Sequence, residues 1–229
     1  MSLSSYQLVN FFGGPGSGKG TQAFKFSEQY GLTVLGMSSM LKSFIAKYDY
    51  SNSPELERVA RIQKRLANGE LVDFEDVKVV MEKDIKRMLE SGEKLLFEGF
   101  PRNTEQAAWF AQFLEQEKIK TLFIHLTISL DAVLDRIKNR YWIEGSDKPY
   151  SSYNEALAAC VGDQKPFQRD LDTDTEIIKK RFAIQYTDFK DDILAVMGTS
   201  QYIDIVEIDA DKSADAVFVD AQKAFNHHL

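Results

Sequence analysis

The chain of 229 residues holds one cysteine, Cys160. An internal disulfide is therefore excluded, and so is a four-cysteine zinc site. A lone thiol fits a reducing compartment. No stretch approaches the roughly 18 apolar residues of a membrane helix. The opening Met1-Ser2-Leu3-Ser4-Ser5 has neither a basic region nor an apolar core, so no signal peptide is expected there. Basic residues are in the minority, 28 against 35 acids, for a net charge of −7. That balance argues against a nucleic-acid or anionic-membrane partner. His227-His228 at the end is too short to read as a metal site. What remains is an ordinary apolar content, enough for one α/β domain with insertions. The default expectation is a cytoplasmic enzyme.

Against these absences stands one dense motif, Gly13-Gly14-Pro15-Gly16-Ser17-Gly18-Lys19-Gly20-Thr21. It follows the apolar run Leu8–Phe12 and precedes a helix-compatible segment, Gln22 to Tyr30. Strand, glycine-rich loop and helix in that order form a phosphate-binding P-loop. Residues without a Cβ let the backbone approach a phosphate closely. The N–H groups then converge on one anion, aided by the start of the helix. Lys19 is suited to reach the β- and γ-phosphates of a nucleotide, with the Thr21 hydroxyl beside them near Mg²⁺.

The intervening Gly20 departs from the general rule, which places Ser or Thr directly after the lysine. The form Gly-x-Pro-Gly-x-Gly-Lys-Gly-Thr resembles the P-loop of adenylate kinases and their nucleoside monophosphate (NMP) kinase relatives. A second motif strengthens the resemblance. Glu98-Gly99-Phe100-Pro101-Arg102 follows the strand-like Lys94–Phe97 and is similar to the Asp-Gly-Phe-Pro-Arg of that family. Gln106 stands four residues beyond Arg102, where adenylate kinases carry a glutamine that reads adenine.

Apolar strands are expected near 6–12, 32–35, 94–98, 121–127 and 202–208, with helices between them. The fold class is α/β: a P-loop NTPase-type three-layer fold, its five-stranded parallel sheet flanked by helices. Residues 36–73 read as a helical NMP-binding insertion and 141–172 as a loop-rich lid with one short helix near Glu155–Cys160. The core is then 1–35, 74–140 and 173–229, with one long helix over 173–197. His125, inside a strand, is expected to be packed.

The resemblance implies reversible, Mg²⁺-dependent phosphoryl transfer from ATP to AMP, giving two ADP, by a cytoplasmic monomer. It implies a donor site of Gly14, Pro15, Gly16, Ser17, Gly18, Lys19, Gly20, Thr21, Arg136, Arg140 and Lys212. Arg136 and Arg140, four apart, are expected on one side of their helix. On the acceptor side it implies Met37, Lys42, Leu71, Val72, Gly99, Arg102 and Gln106. Lys19, Arg102, Arg140, Arg169 and Arg181 would surround the transferring group, and Glu98 would hold Mg²⁺ through water, near Thr21. Departures are concentrated on the acceptor wall. Met37, Ser39 and Lys42 replace the family's threonine, acid and arginine, and Phe74 replaces an acid after Gly69-Glu70-Leu71-Val72. In the lid, Leu171 replaces an acid, and the spacing from Arg169 to Arg181 is one residue longer than usual. Two other readings follow from these differences: a UMP/CMP-type kinase, supported by Arg102-Asn103 and Met37, and an ATP-binding protein without turnover.

Overall fold

The computed structural model describes residues 5–47, 55–67, 72–145 and 149–226. Its strands are β1 (Leu8–Gly13), β2 (Thr33–Leu35), β3 (Leu95–Glu98), β4 (Thr121–Thr127), β5 (Trp142–Ile143), β6 (Pro166–Phe167) and β7 (Ile203–Asp209). The first four and β7 form a five-stranded sheet in the order β2-β3-β1-β4-β7, with every pairing parallel. β1 is thus central, and the P-loop leaves its carboxyl end. Glu98 and Asp209 end β3 and β7 at the same edge.

Side chains alternate across a strand, and β1 shows what that does to the core. Leu8 and Phe12 join one buried cluster, Val9 and Phe11 the other. The first cluster takes in α2 (Met37–Lys47), α3 (Leu56–Ala67), α4 (Phe74–Glu90), α5 (Thr104–Gln116) and α10 (Lys190–Met197). The second takes in α1 (Lys19–Tyr30), α6 (Leu130–Lys138), α9 (Thr175–Phe182) and α11 (Ala214–Asn226). Two helix layers therefore sandwich one sheet. This is the predicted α/β architecture, with strand limits displaced by one or two residues.

Local chemistry sets the helix starts. Asn103, Ser129 and Asp174 each accept a backbone N–H of the following turn through their side chains. Two expectations are corrected. The single helix expected over 173–197 starts where the Asp174 side chain caps α9, after the short α8 (Asp170–Thr173), but it is divided by a π-helical turn over Ala183–Thr187 and a turn at Asp188–Phe189, after which α10 follows. The segment expected as a lid, 141–172, is also more regular than expected. β5 and β6 pair antiparallel, Tyr141 and Tyr150 form a further bridge, and α7 (Tyr153–Ala159) lies between.

Candidate active site

The P-loop closes on itself through its lysine. The half-buried Lys19 donates to the Gly13 carbonyl at 2.8 Å and to the Gly14 carbonyl at 2.7 Å. Burial pushes its ammonium down to about 8; nearby Glu98 opposes that shift, and Arg102 and Arg140 add to it. Four charged groups thus share one field. Gly16 and Gly18 hold positive φ values of 81° and 87°, which is where a residue without a Cβ is required. Gly14 is closed in from behind. A Cβ there would lie 2.6 Å from Cε2 of Phe182.

The side expected to take the acceptor is built by the turn after β3. Gly99 takes φ 75°, and the Phe100–Pro101 peptide is cis. Nε of Arg102 donates back to the Gly99 carbonyl at 2.8 Å. Gln106 Oε1 accepts the Arg102 backbone N–H at 2.8 Å, so the predicted base reader also pins the arginine. Phe12, Gly13, Pro15, Lys19, Gly99, Pro101 and Arg102 line one cavity of about 90 Å³. Buried Asn10 reaches the same turn from β1, donating to the Phe100 carbonyl at 2.8 Å. Nothing in the sequence distinguished Asn10 except a polar residue amid an apolar strand.

Among the residues expected to bind the donor, Arg136 donates to the carbonyls of Lys212, at 2.9 Å, and Gly16, at 3.4 Å. It ties the P-loop to the turn after β7. Lys212 offers its backbone there, while its side chain pairs with Asp220 at 3.0 Å. The expectation that Arg136 and Arg140 share one side of their helix is corrected. α6 ends at Lys138 and Asn139 closes it, so Arg140 leaves along the lid strand. There it meets Asp172 through two hydrogen bonds, 2.7 and 3.2 Å. Arg181 reaches the same carboxylate at 3.2 Å, as does the Trp142 indole N–H. Burial pushes the Asp172 carboxyl up, yet Arg140, Trp142 and Arg181 together hold it below its ordinary value. One acid therefore organises two arginines, in a lid where Leu171 replaces the other acid.

Met37 packs at the edge of the core, as does Val72, and Lys42 is exposed on α2. Leu71 lies outside the described residues. His125 is packed, as expected, between Glu207 at 3.2 Å and the Tyr186 hydroxyl at 2.7 Å. For a metal, Glu98 Oε2 stands 3.6 Å from where a Cβ of Gly20 would be, beside the P-loop. A lone carboxylate near phosphate oxygens fits Mg²⁺, which takes one or two protein carboxylates and completes its shell with phosphate and water.

The family model for Adenylate kinase matches residues 11–200. The chain belongs to the adenylate kinase family. The adenylate kinase of Rickettsia africae (strain ESF-5) is 30% identical over 190 residues, 79% of this chain and 82% of that protein. That of Wolbachia sp. subsp. Drosophila simulans (strain wRi) is 26% identical over 228 residues, 97% and 99% of the two chains. The chain is thus a phosphotransferase of the nucleoside monophosphate kinase type. Among the described residues no helix is long and apolar enough to cross a membrane. Trp142 is the lid residue that motif reading missed, although its place two residues after Arg140 was a signal.

Proposed function

We propose that the protein transfers the γ-phosphoryl group of Mg-ATP reversibly to AMP, giving two ADP. The observation that carries this reading is the cavity that Pro15 and Lys19 of the P-loop share with Gly99 and Arg102 of the turn after β3, with Glu98 and Arg140 near enough to act on the charge of Lys19. A cation from the donor loop, one from the acceptor turn and one from the lid influence the same point. Phosphoryl transfer needs little covalent help from a protein. It needs an in-line arrangement and cations around the oxygens that carry the charge.

Residues 14–21, Arg136, Arg140 and the turn at Lys212 would bind ATP. Met37, Lys42, Leu71, Val72, Gly99, Arg102 and Gln106 would bind the acceptor. Glu98, through water, and Thr21 nearby would hold Mg²⁺, whose chemistry there would be charge neutralisation of the donor phosphates. Lys19 would leave the Gly13 and Gly14 carbonyls for the phosphates, a short movement of one side chain. Arg140 and Arg181 would divide their donors between Asp172 and the nucleotide, and Arg169 would complete the cationic shell. The acceptor phosphate is already an anion, so no general base is required. Residues 36–73 and 141–172 would act as two closing insertions on a core of 1–35, 74–140 and 173–229. Closure would exclude water and suppress ATP hydrolysis.

The deciding experiment offers AMP, CMP, UMP and GMP in turn with Mg-ATP and measures diphosphate product. AMP is expected to give the highest kcat/KM. A preference for UMP or CMP would replace the acceptor assignment, as Met37 in the acceptor wall allows. ATP binding without turnover of any acceptor would leave a binding protein.

A further inference from the structure

Trp142 is 7% exposed and touches three of the charged groups of the lid. Its indole face lies against Arg169, whose Cζ is 3.3 Å from the ring centroid, with Arg140 Cζ at 5.3 Å. Its edge donates to Asp172 Oδ2 at 3.2 Å. The hairpin register explains why such a seat is needed. Trp142 pairs with Phe167 in an antiparallel ladder. Continued outward by two residues, that register sets Arg140 opposite Arg169. Two like charges facing each other across strands are destabilising. The two guanidiniums are separated by different devices. Arg140 goes to the Asp172 carboxylate, whereas Arg169 goes to the indole face.

The difference matters for phosphate binding. Arg140 commits N–H donors to Asp172. The Arg169 guanidinium makes no hydrogen bond among the described residues, its backbone carbonyl alone accepting one, from the Asp172 N–H. A guanidinium stacked on a ring is held through its plane, by attraction to the π face. Its N–H donors radiate within that plane and stay available to oxygens. Stacking also removes rotamer freedom before the ligand arrives, which lowers the cost of binding.

We propose that Trp142 is a positioning residue for phosphoryl transfer: its indole face pre-orients Arg169 toward the nucleotide phosphates with every donor unspent. The proposal rests on the reading that Arg169 contacts those phosphates. A double-mutant cycle tests both and separates them. Trp142→Leu is expected to lower kcat about tenfold, the scale of a desolvated cation–π contact, with the acceptor KM within about twofold. Trp142→Phe, which keeps a ring face and loses the N–H donor, should stay within about threefold of the parent. In an Arg169→Ala background the leucine change should cost less than about threefold, because the partner of the ring is already gone. A merely structural role would add its full loss in both backgrounds, and that result would overturn the proposal. Near-normal turnover of Arg169→Ala alone would instead refute the underlying role of Arg169.

Should Trp142→Leu not fold, emission decides. In a Trp109→Phe protein, Trp142 is the sole indole. Replacing Arg169 by Ala should then shift its emission before any nucleotide is added, and Mg-ATP should change the emission only when Arg169 is present. An identical spectrum and response with and without Arg169 would overturn the stack as a working contact.

Discussion

At the scale of the residue, Lys19 connects protonation to ligand binding. Its ammonium is pushed down to about 8 by burial in the loop. Nucleotide phosphates favour the charged form, so the bound state must hold the proton more tightly than the free state. The sign follows directly. Below pH 8 the lysine is already protonated and affinity is full. Above pH 8 binding must take up a proton, and affinity falls by up to about tenfold per pH unit. Calorimetric titration of Mg-ATP between pH 7.5 and about 9.5, in buffers of different ionisation enthalpy, should show proton uptake that grows with pH. Lys19→Arg should abolish that uptake, because a guanidinium does not titrate there. Equal affinity and no uptake across the range would contradict a lowered lysine. The place of the lysine in the P-loop was legible in the sequence, and with it the expectation that it binds phosphate. Its shifted protonation was not, since the shift comes from burial and from Glu98, Arg102 and Arg140, which are distant in sequence.

At the scale of the element, the π-helical turn Ala183–Thr187 and the end of α9 back the P-loop. A Cβ on Gly14 would meet Phe182 Cε2 at 2.6 Å and Tyr186 Cδ1 at 3.2 Å. Gly14→Ala must therefore displace an aromatic ring or the loop. Overpacking of this kind costs about 1–3 kcal/mol. Thermal unfolding should show a loss of about 2–10 °C for a chain of this size. Phe182→Leu in the same molecule should recover most of it, because the ring is the obstacle. An unchanged melting temperature for Gly14→Ala would mean that the ring yields freely. These elements also mark the limit of sequence reading. The P-loop, the Glu98–Arg102 turn and the five strands carry local signatures: glycine spacing, proline and apolar runs. The split of the helix expected over 173–197 falls at the π-helical turn Ala183–Thr187 and the turn at Asp188–Phe189, where the apolar pattern carries no proline or glycine to mark a break. The divergence of Arg136 from Arg140 depends on α6 stopping at Lys138, a boundary that periodicity does not mark. Asp172 and Trp142 acquire their importance from a lid hairpin whose two strands are each two residues long, too short for a periodic signal.

At the scale of the whole molecule, topology converts separate sequence motifs into one site. Parallel strands joined through helices bring their carboxyl ends to one edge, where ligands of open α/β sheets bind. The P-loop leaves β1, Arg102 follows β3, and the Lys212 turn follows β7, so three distant segments meet at one edge of the sheet. The insertion at 36–73 is entered from β2 and that at 141–172 from α6, which would let each cover one nucleotide. The arrangement has a thermodynamic consequence. A compound with two adenosines joined through one polyphosphate chain would occupy both sides at once, and its second half would bind at a high effective concentration. It should bind at least about 10²-fold more tightly than ATP alone. At 100 times its Kd it should add about 2.7 kcal/mol to stability. For a chain of this length that raises the melting temperature by about 5–10 °C. ATP and AMP supplied singly at the same multiple of Kd would each raise it comparably. The distinguishing result is therefore the bridging compound's affinity and its loss on mutation. Lys19→Ala and Arg102→Ala, which damage opposite sides, should each weaken the bridging compound, whereas ATP should respond mainly to Lys19→Ala. If Arg102→Ala weakens ATP as much as the bridging compound, the two sides are not independent subsites.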